Sequence, residues 1–177
     1  MNKYVSLIFA FALLLFFSGC SGLAKMKPAK RLQFAPPEKA LVNFVRPYNF
    51  AGGGSNRDLW HEDEYIGSIS NASMVQYLVE PGMQLFMTNN YNKGWKHLYL
   101  NVEAGKTYYV RVEVYFSGFE LEKIAQLDYK TKSWIDELLV TSIDAKNSKA
   151  IPSSEIASAK RNAARFKSTN TIIKTNQ

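Results

Sequence analysis

"TYYVRVEVYF", residues 107–116, alternates at every position: Tyr108, Val110, Val112, Val114 and Phe116 fall on one side, and Tyr109, Arg111, Glu113 and Tyr115 on the other. A period of two is the mark of a strand with one buried face, because successive side chains leave a pleated backbone in opposite directions. Upstream, "KHLYLNVE" repeats the pattern with Leu98, Leu100 and Val102, and "EAGK" with Gly105 joins the two runs. They are expected to pair as an antiparallel hairpin. "MVQYLVE" and "MQLFMTN" flank Pro81-Gly82, where Pro fixes φ and Gly accepts positive φ, so a second hairpin is expected there.

Working outward, "ALVNFVRP" reads as a strand stopped by Pro47, and "DLWHEDEYIGSI" as two short strands joined by an acidic turn at residues 62–64. About seven strands result. The fold class is therefore mainly β, a small antiparallel sandwich with one or two C-terminal helices. "FELEKIAQL" could add a further strand. "KSWIDELLV" is expected as a short helix capped by Ser133 with Asp136 at the capping-box position, packing Trp134, Leu138 and Leu139 on the sheet. "SSEIASAKRNAARFKS" reads as a second helix starting at Ser153 or Ser154, with a thin apolar stripe of Ile156, Ala159, Ala163 and Phe166 that docks loosely if at all. The last residues, "TNTIIKTNQ", read as a frayed end.

The chain starts differently. Met1, Asn2 and Lys3 precede about fourteen mostly apolar residues from Tyr4 to Phe17, too few for the roughly 20 that span hydrocarbon, so the segment reads as a secretory signal. Phe17-Ser18-Gly19-Cys20 resembles the lipobox of bacterial lipoproteins, although Phe17 stands where Leu is usual. That resemblance implies that Cys20 becomes the first mature residue and carries three acyl chains, two of them on the sulfur through diacylglycerol. Two or more chains hold a protein at a bilayer, whereas one is marginal. The competing reading is a secreted protein cut after Gly19 with a free cysteine. Ser21, in place of Asp, implies transfer to the outer membrane in a bacterium with two membranes.

These boundaries divide the chain into a signal peptide at 1–19, a lipidated start and flexible tether at 20–38, a sandwich at 39–127, and a C-terminal helical extension and tail at 128–177. Removing the signal leaves 158 residues, enough for one domain. Cys20 is the only cysteine, so no intramolecular disulfide can form and the fold rests on its apolar core.

Net charge is +7, but it is unevenly spread. Residues 23–46 hold six bases and one acid, residues 145–177 hold seven and one, and residues 47–144 hold eight bases and thirteen acids. Basic charge confined to flanking arms argues against a nucleic-acid-binding domain. Beside a lipid anchor it is read either as attraction to anionic lipid or as solvation of the tails.

The order "ALVNFVRP", "DLWHEDEYIGSI", "VEPGMQLF", "VEAGKTYYVRVEV" resembles the bacterial lipoprotein domains known as domain of unknown function 2846, over roughly residues 39–120. The single motifs also suit surface sandwiches of the PEGA or transthyretin-like kind. The resemblance implies a periplasm-facing sandwich and brings no catalytic residues with it.

Four places in the sequence offer groups that could carry chemistry or binding. His61 in "HEDE" puts an imidazole beside carboxylates, but consecutive strand residues alternate faces and cannot all converge on one metal ion. Ser55 with His61 or His97 and an acid could be assembled into a hydrolytic triad, without a Gly-x-Ser-x-Gly elbow to support it. "AGGGSNR" lacks the Lys and Ser/Thr of a phosphate loop. Tyr99, Tyr109 and Tyr115 are expected on the face opposite the core, where they could stack on sugar rings or meet a partner, unless the tail helices cover them. The expected role is a non-catalytic binding or structural module, with no cofactor and no metal. Its expected partners are the membrane through the lipid anchor and an envelope protein or peptidoglycan. The alternatives are an envelope hydrolase or metal-dependent enzyme, and a cell-wall glycan-binding module.

Overall fold

The computed structural model describes residues 23–50, 54–90, 94–115 and 118–175. Its strands, in chain order, are β1 (Met26–Pro28), β2 (Ala40–Arg46), β3 (Arg57–His61), β4 (Glu64–Ile69), β5 (Ser73–Val79), β6 (Gly82–Asn90), β7 (Gly94–Val102), β8 (Thr107–Val114), β9 (Phe119–Lys123) and β10 (Leu139–Ile143). Helix α1 (Tyr129–Asp136) precedes β10, and α2 (Ser153–Thr175) follows it. The chain is mainly β, as the alternation requires.

Two sheets face each other. One has the order β1-β10-β5-β2-β8-β9 and the other β4-β3-β6-β7. Between them lie Ala40, Val42, Phe44, Val75, Val110 and Val112 from the first, and Leu59, Ile66, Phe86, Leu100 and Val102 from the second. The inward residues of "TYYVRVEV" are thus the ones its period selects. Phe44 and Phe86 meet edge to face across the gap, 5.1 Å between centroids.

Strand partners differ from expectation. Among the described residues β7 pairs only with β6, whereas β8 lies parallel to β2 and antiparallel to β9. The "EAGK" link therefore crosses between sheets. Pro81-Gly82 does the same, since β5 belongs to the first sheet and β6 to the second. Only the β3–β4 hairpin forms as read, with Glu62 in the left-handed region at φ 55°. Alternation tells which face of a strand is buried, and a sandwich offers the same burial to a hairpin and to a crossover.

The register of that hairpin slips between Leu59 and Trp60, which is a β-bulge. Gly67 sits at the slip with φ 142°, and a Cβ there would stand 3.1 Å from Met26 Cε. Gly67→Ala is expected to lower stability by about 1–2 kcal/mol, read as a shift in denaturant midpoint. An unchanged midpoint would show that the strand relaxes freely.

The segment from residue 128 onward packs on both sheets and adds a strand to one of them. Asp128 caps α1 by accepting from the Thr131 amide, so the helix begins before Ser133 and ends at Asp136. "LVTSI" then forms β10, parallel to β5. Ile135, Leu138 and Val140 are buried with Val45 and Met74 on the outer side of the first sheet, and Trp134 packs against them. Leu139 instead points outward, 54% exposed.

On the outer side of the second sheet, α2 docks through Ala159, Ala163 and Phe166 onto Trp60, Leu85 and Met87. The two alanines let a thin stripe come close. Ile156, the fourth stripe residue, is 42% exposed. The helix runs on to Thr175, into the stretch read as frayed.

The described part of the segment expected as a tether also pairs with the body. β1 pairs with β10, and the Arg31 guanidinium donates to the carbonyls of Ile135 (3.1 Å), Asp136 (3.3 Å) and Leu138 (3.0 Å) at the end of α1. The backbone of Leu32 exchanges two hydrogen bonds with the Gln76 amide. Lysines and prolines there suggested solvation, but backbone pairing with a sheet edge needs no apolar pattern.

Candidate functional site

The feature that the sequence did not announce is a buried polar station where the N-terminal segment joins the body. Asp58 is the second residue of β3, and alternation puts it on the same outer side as Trp60. It is 4% exposed. Its Oδ1 accepts from the backbone amide of Leu23 (3.1 Å), the Tyr65 hydroxyl (3.0 Å) and the Ser68 hydroxyl. Tyr65 in turn accepts from the Ala24 amide at 3.3 Å. Burial, and then the charge of Asp58, push the Tyr65 phenol far above its ordinary value, which keeps its proton in place for the bond to Asp58.

Two residues on, the fixation continues. Lys25 N–H donates to Ser148 Oγ (2.9 Å), Ser148 Oγ donates back to Lys25 O (3.1 Å), and the Asp144 amide donates to the same carbonyl (2.8 Å). Leu23 and Ile151 pack against the cluster that seats α2. The chain is thus held from its third residue after Cys20. Cys20 itself lies outside the described residues.

The three tyrosines do not make one face. Tyr99 is on β7 and packs in the α2 cluster, Tyr109 is on β8 of the other sheet and packs beside α1, and Tyr115 follows β8 with 45% exposure. The expected shared face assumed that β7 and β8 were neighbours. Because they belong to opposite sheets, Tyr99 and Tyr109 meet different helices.

The histidines are also apart. His61 Nδ1 lies 3.1 Å from the Tyr77 hydroxyl and Nε2 2.8 Å from Gln84 Oε1, while Tyr77 donates to Glu64 Oε2 at 2.9 Å. Both ring nitrogens are engaged by protein groups. His97 stacks on Phe166 with centroids 3.9 Å apart, and burial followed by the charges of Arg165 and Lys96 holds its imidazole below the ordinary value. Among the described residues no group of three His, Cys, Asp or Glu is placed to hold a metal ion.

Arg46 is another buried charge, 1% exposed and donating to the carbonyls of Ser55 (2.6 Å) and Ile69 (3.3 Å). Burial, with the nearby Arg57 charge, lowers it to about 10. Those bonds tie the end of β2 to the turns beside it, a structural task.

Comparison with known proteins gives no match to a family model, to a curated protein or to a solved structure. Among the described residues no helix is long and apolar enough to cross a membrane.

Proposed function

We propose that this chain is a lipid-anchored, non-catalytic binding or structural module of the cell envelope, fixed to the outer membrane through acylated Cys20 and facing the periplasm. The observation that carries the reading is the lipobox-like Phe17-Ser18-Gly19-Cys20 at the end of an apolar leader, followed within three residues by Leu23, where the body takes hold of the chain. Acyl chains on that cysteine would supply the attachment that one short apolar leader, once removed, does not. The resemblance to domain 2846 lipoproteins supports the same class. His61 and Asp58, the two groups best placed for chemistry, have hydrogen-bond partners within the protein, which favours scaffolding and binding over turnover.

Mass analysis of protein purified from its own cells tests the anchor directly. A mature chain starting at Cys20 with diacylglycerol and one further acyl chain is the expected result. Cys20→Ser should lose both the added mass and stable membrane association. An intact leader, or a mature start without lipid, would overturn the proposal.

A further inference from the structure

We propose that the surface around Leu23 and the outward side of α2 is a docking face for anionic lipid headgroups, so that the body lies on the bilayer instead of swinging from it. The inference rests on acylation of Cys20. Leu23 is three residue steps from that position, and an extended chain covers at most about 3.6 Å per residue, so the Cys20 backbone stays within about 11 Å of the Leu23 backbone. The bonds from Leu23, Ala24 and Lys25 to Asp58, Tyr65 and Ser148 remove further slack.

Cations gather at that place. Lys25 and Lys27 are exposed on the segment itself, and Lys146 and Lys149 are exposed on the turn that Ser148 binds to it. The carboxylate among them, Asp144, is buried, accepts from Asn147 Nδ2 at 2.7 Å and has Lys27 at 4.0 Å. From Ile151, which shares a cluster with Leu23, the chain enters α2, whose exposed residues include Lys160 and Arg161 between small Ala157, Ala164 and Ser168, while the Arg165 guanidinium lies over the Phe166 ring, 4.7 Å from its centroid. Glu155 is the single acid among the described α2 residues. Lys167 is paired with Glu62 at 2.6 Å.

The occupant follows from reach and sign. The surface brought close to this end of the body is the bilayer holding the acyl chains, and anchoring keeps it at high effective concentration. Each Lys or Arg near an anionic membrane surface adds about fivefold to binding. Several acting together would fix the orientation of a body that acyl chains alone leave free to rotate.

Purified full-length mature protein should be mixed with vesicles of phosphatidylcholine, with or without phosphatidylglycerol, and its lysines acetylated and quantified by mass spectrometry. On anionic vesicles Lys25, Lys146, Lys149 and Lys160 should react at least about fivefold more slowly than on neutral ones. Lys106, in the β7–β8 link, and Lys132, on the α1 side of the sandwich, should not change. The difference should vanish near about 1 M salt, where the screening length falls to about 3 Å, and in the variant Lys149→Glu with Lys160→Glu. Equal rates on the two vesicle types, or slowing of all lysines alike, would overturn the docking face. Flotation with neutral vesicles at high salt reads the acyl anchor separately. Its failure would count against acylation of Cys20, while selective protection on anionic vesicles would still support the docking face.

Discussion

Trp60→Ala should lower folding stability by about 4 kcal/mol and release α2 from the second sheet. Trp60 is fully buried and stands at the centre of the contact, edge to face with Tyr65 (5.1 Å) and tilted against Trp95 (5.9 Å). Among the described residues the helix brings Ala159, Ala163 and Phe166 to this cluster as buried residues. Beside them stand the His97 stack on Phe166 and the Lys167–Glu62 ion pair, but an amphipathic helix in a protein draws most of its stability from packing and not from propensity. Removing the indole would leave Leu85, Met87 and Phe166 around a cavity that two alanines cannot fill. The indole N–H has no partner among the described residues, so Trp60→Phe removes an unsatisfied donor along with some contact and should cost much less. Denaturant titration gives the stability change, and amide exchange of α2 reports the undocking. A loss under about 1 kcal/mol, or unchanged α2 exchange, would show that the helix is held from elsewhere.

What sequence could and could not reveal divides along the range of the interactions. The inward set of β8, Val110, Val112 and Val114, follows from alternation, and so does the acidic β3–β4 turn, because both depend on neighbours in the chain. Partner choice depends on packing between sheets. Thus Pro81-Gly82 and the Gly105 link, each suitable for a hairpin, carry the chain across the sandwich instead. "KSWIDELLV" contains both the end of α1 and the start of β10, and its apolar residues at Ile135, Leu138 and Val140 suit either period over so short a run. The α2 stripe was legible at Ala159, Ala163 and Phe166, but its docking depended on a flat aromatic partner from β3. Asp58 was hidden because "RDLWH" reads as an ordinary strand with a polar outer side. The available signal was that Asp58 shares a side with Trp60: a carboxylate next to a large aromatic on one strand face suggests that the face is covered and the charge hydrogen-bonded.

Asp58→Ala should cost about 3 kcal/mol, and its local consequence should exceed its global one. One carboxylate oxygen serves the Leu23 amide, the Tyr65 hydroxyl and the Ser68 hydroxyl, and hydrogen bonds to charged groups contribute about 1.5–3 kcal/mol each before the freed donors find substitutes. Tyr65 and Ser68 are 2.6 Å apart and can satisfy each other, whereas the Leu23 amide has no such alternative in that network. The bond from Thr88 to the Asp58 carbonyl does not involve the side chain and should survive, so β3 stays paired with β6. The expected result is a lower denaturant midpoint together with new tryptic cleavage after Lys25 under native conditions. Asp58→Asn, which keeps an acceptor, should show less of both. On anionic vesicles the freed segment would reach from Cys20 to Met26, six residues or about 20 Å, and selective protection of Lys149 and Lys160 should weaken while flotation through the acyl chains persists. Resistance of the Lys25 bond in Asp58→Ala would show that Ser148 and β1 hold the segment unaided, and would remove Asp58 as the group that fixes the body close to the membrane.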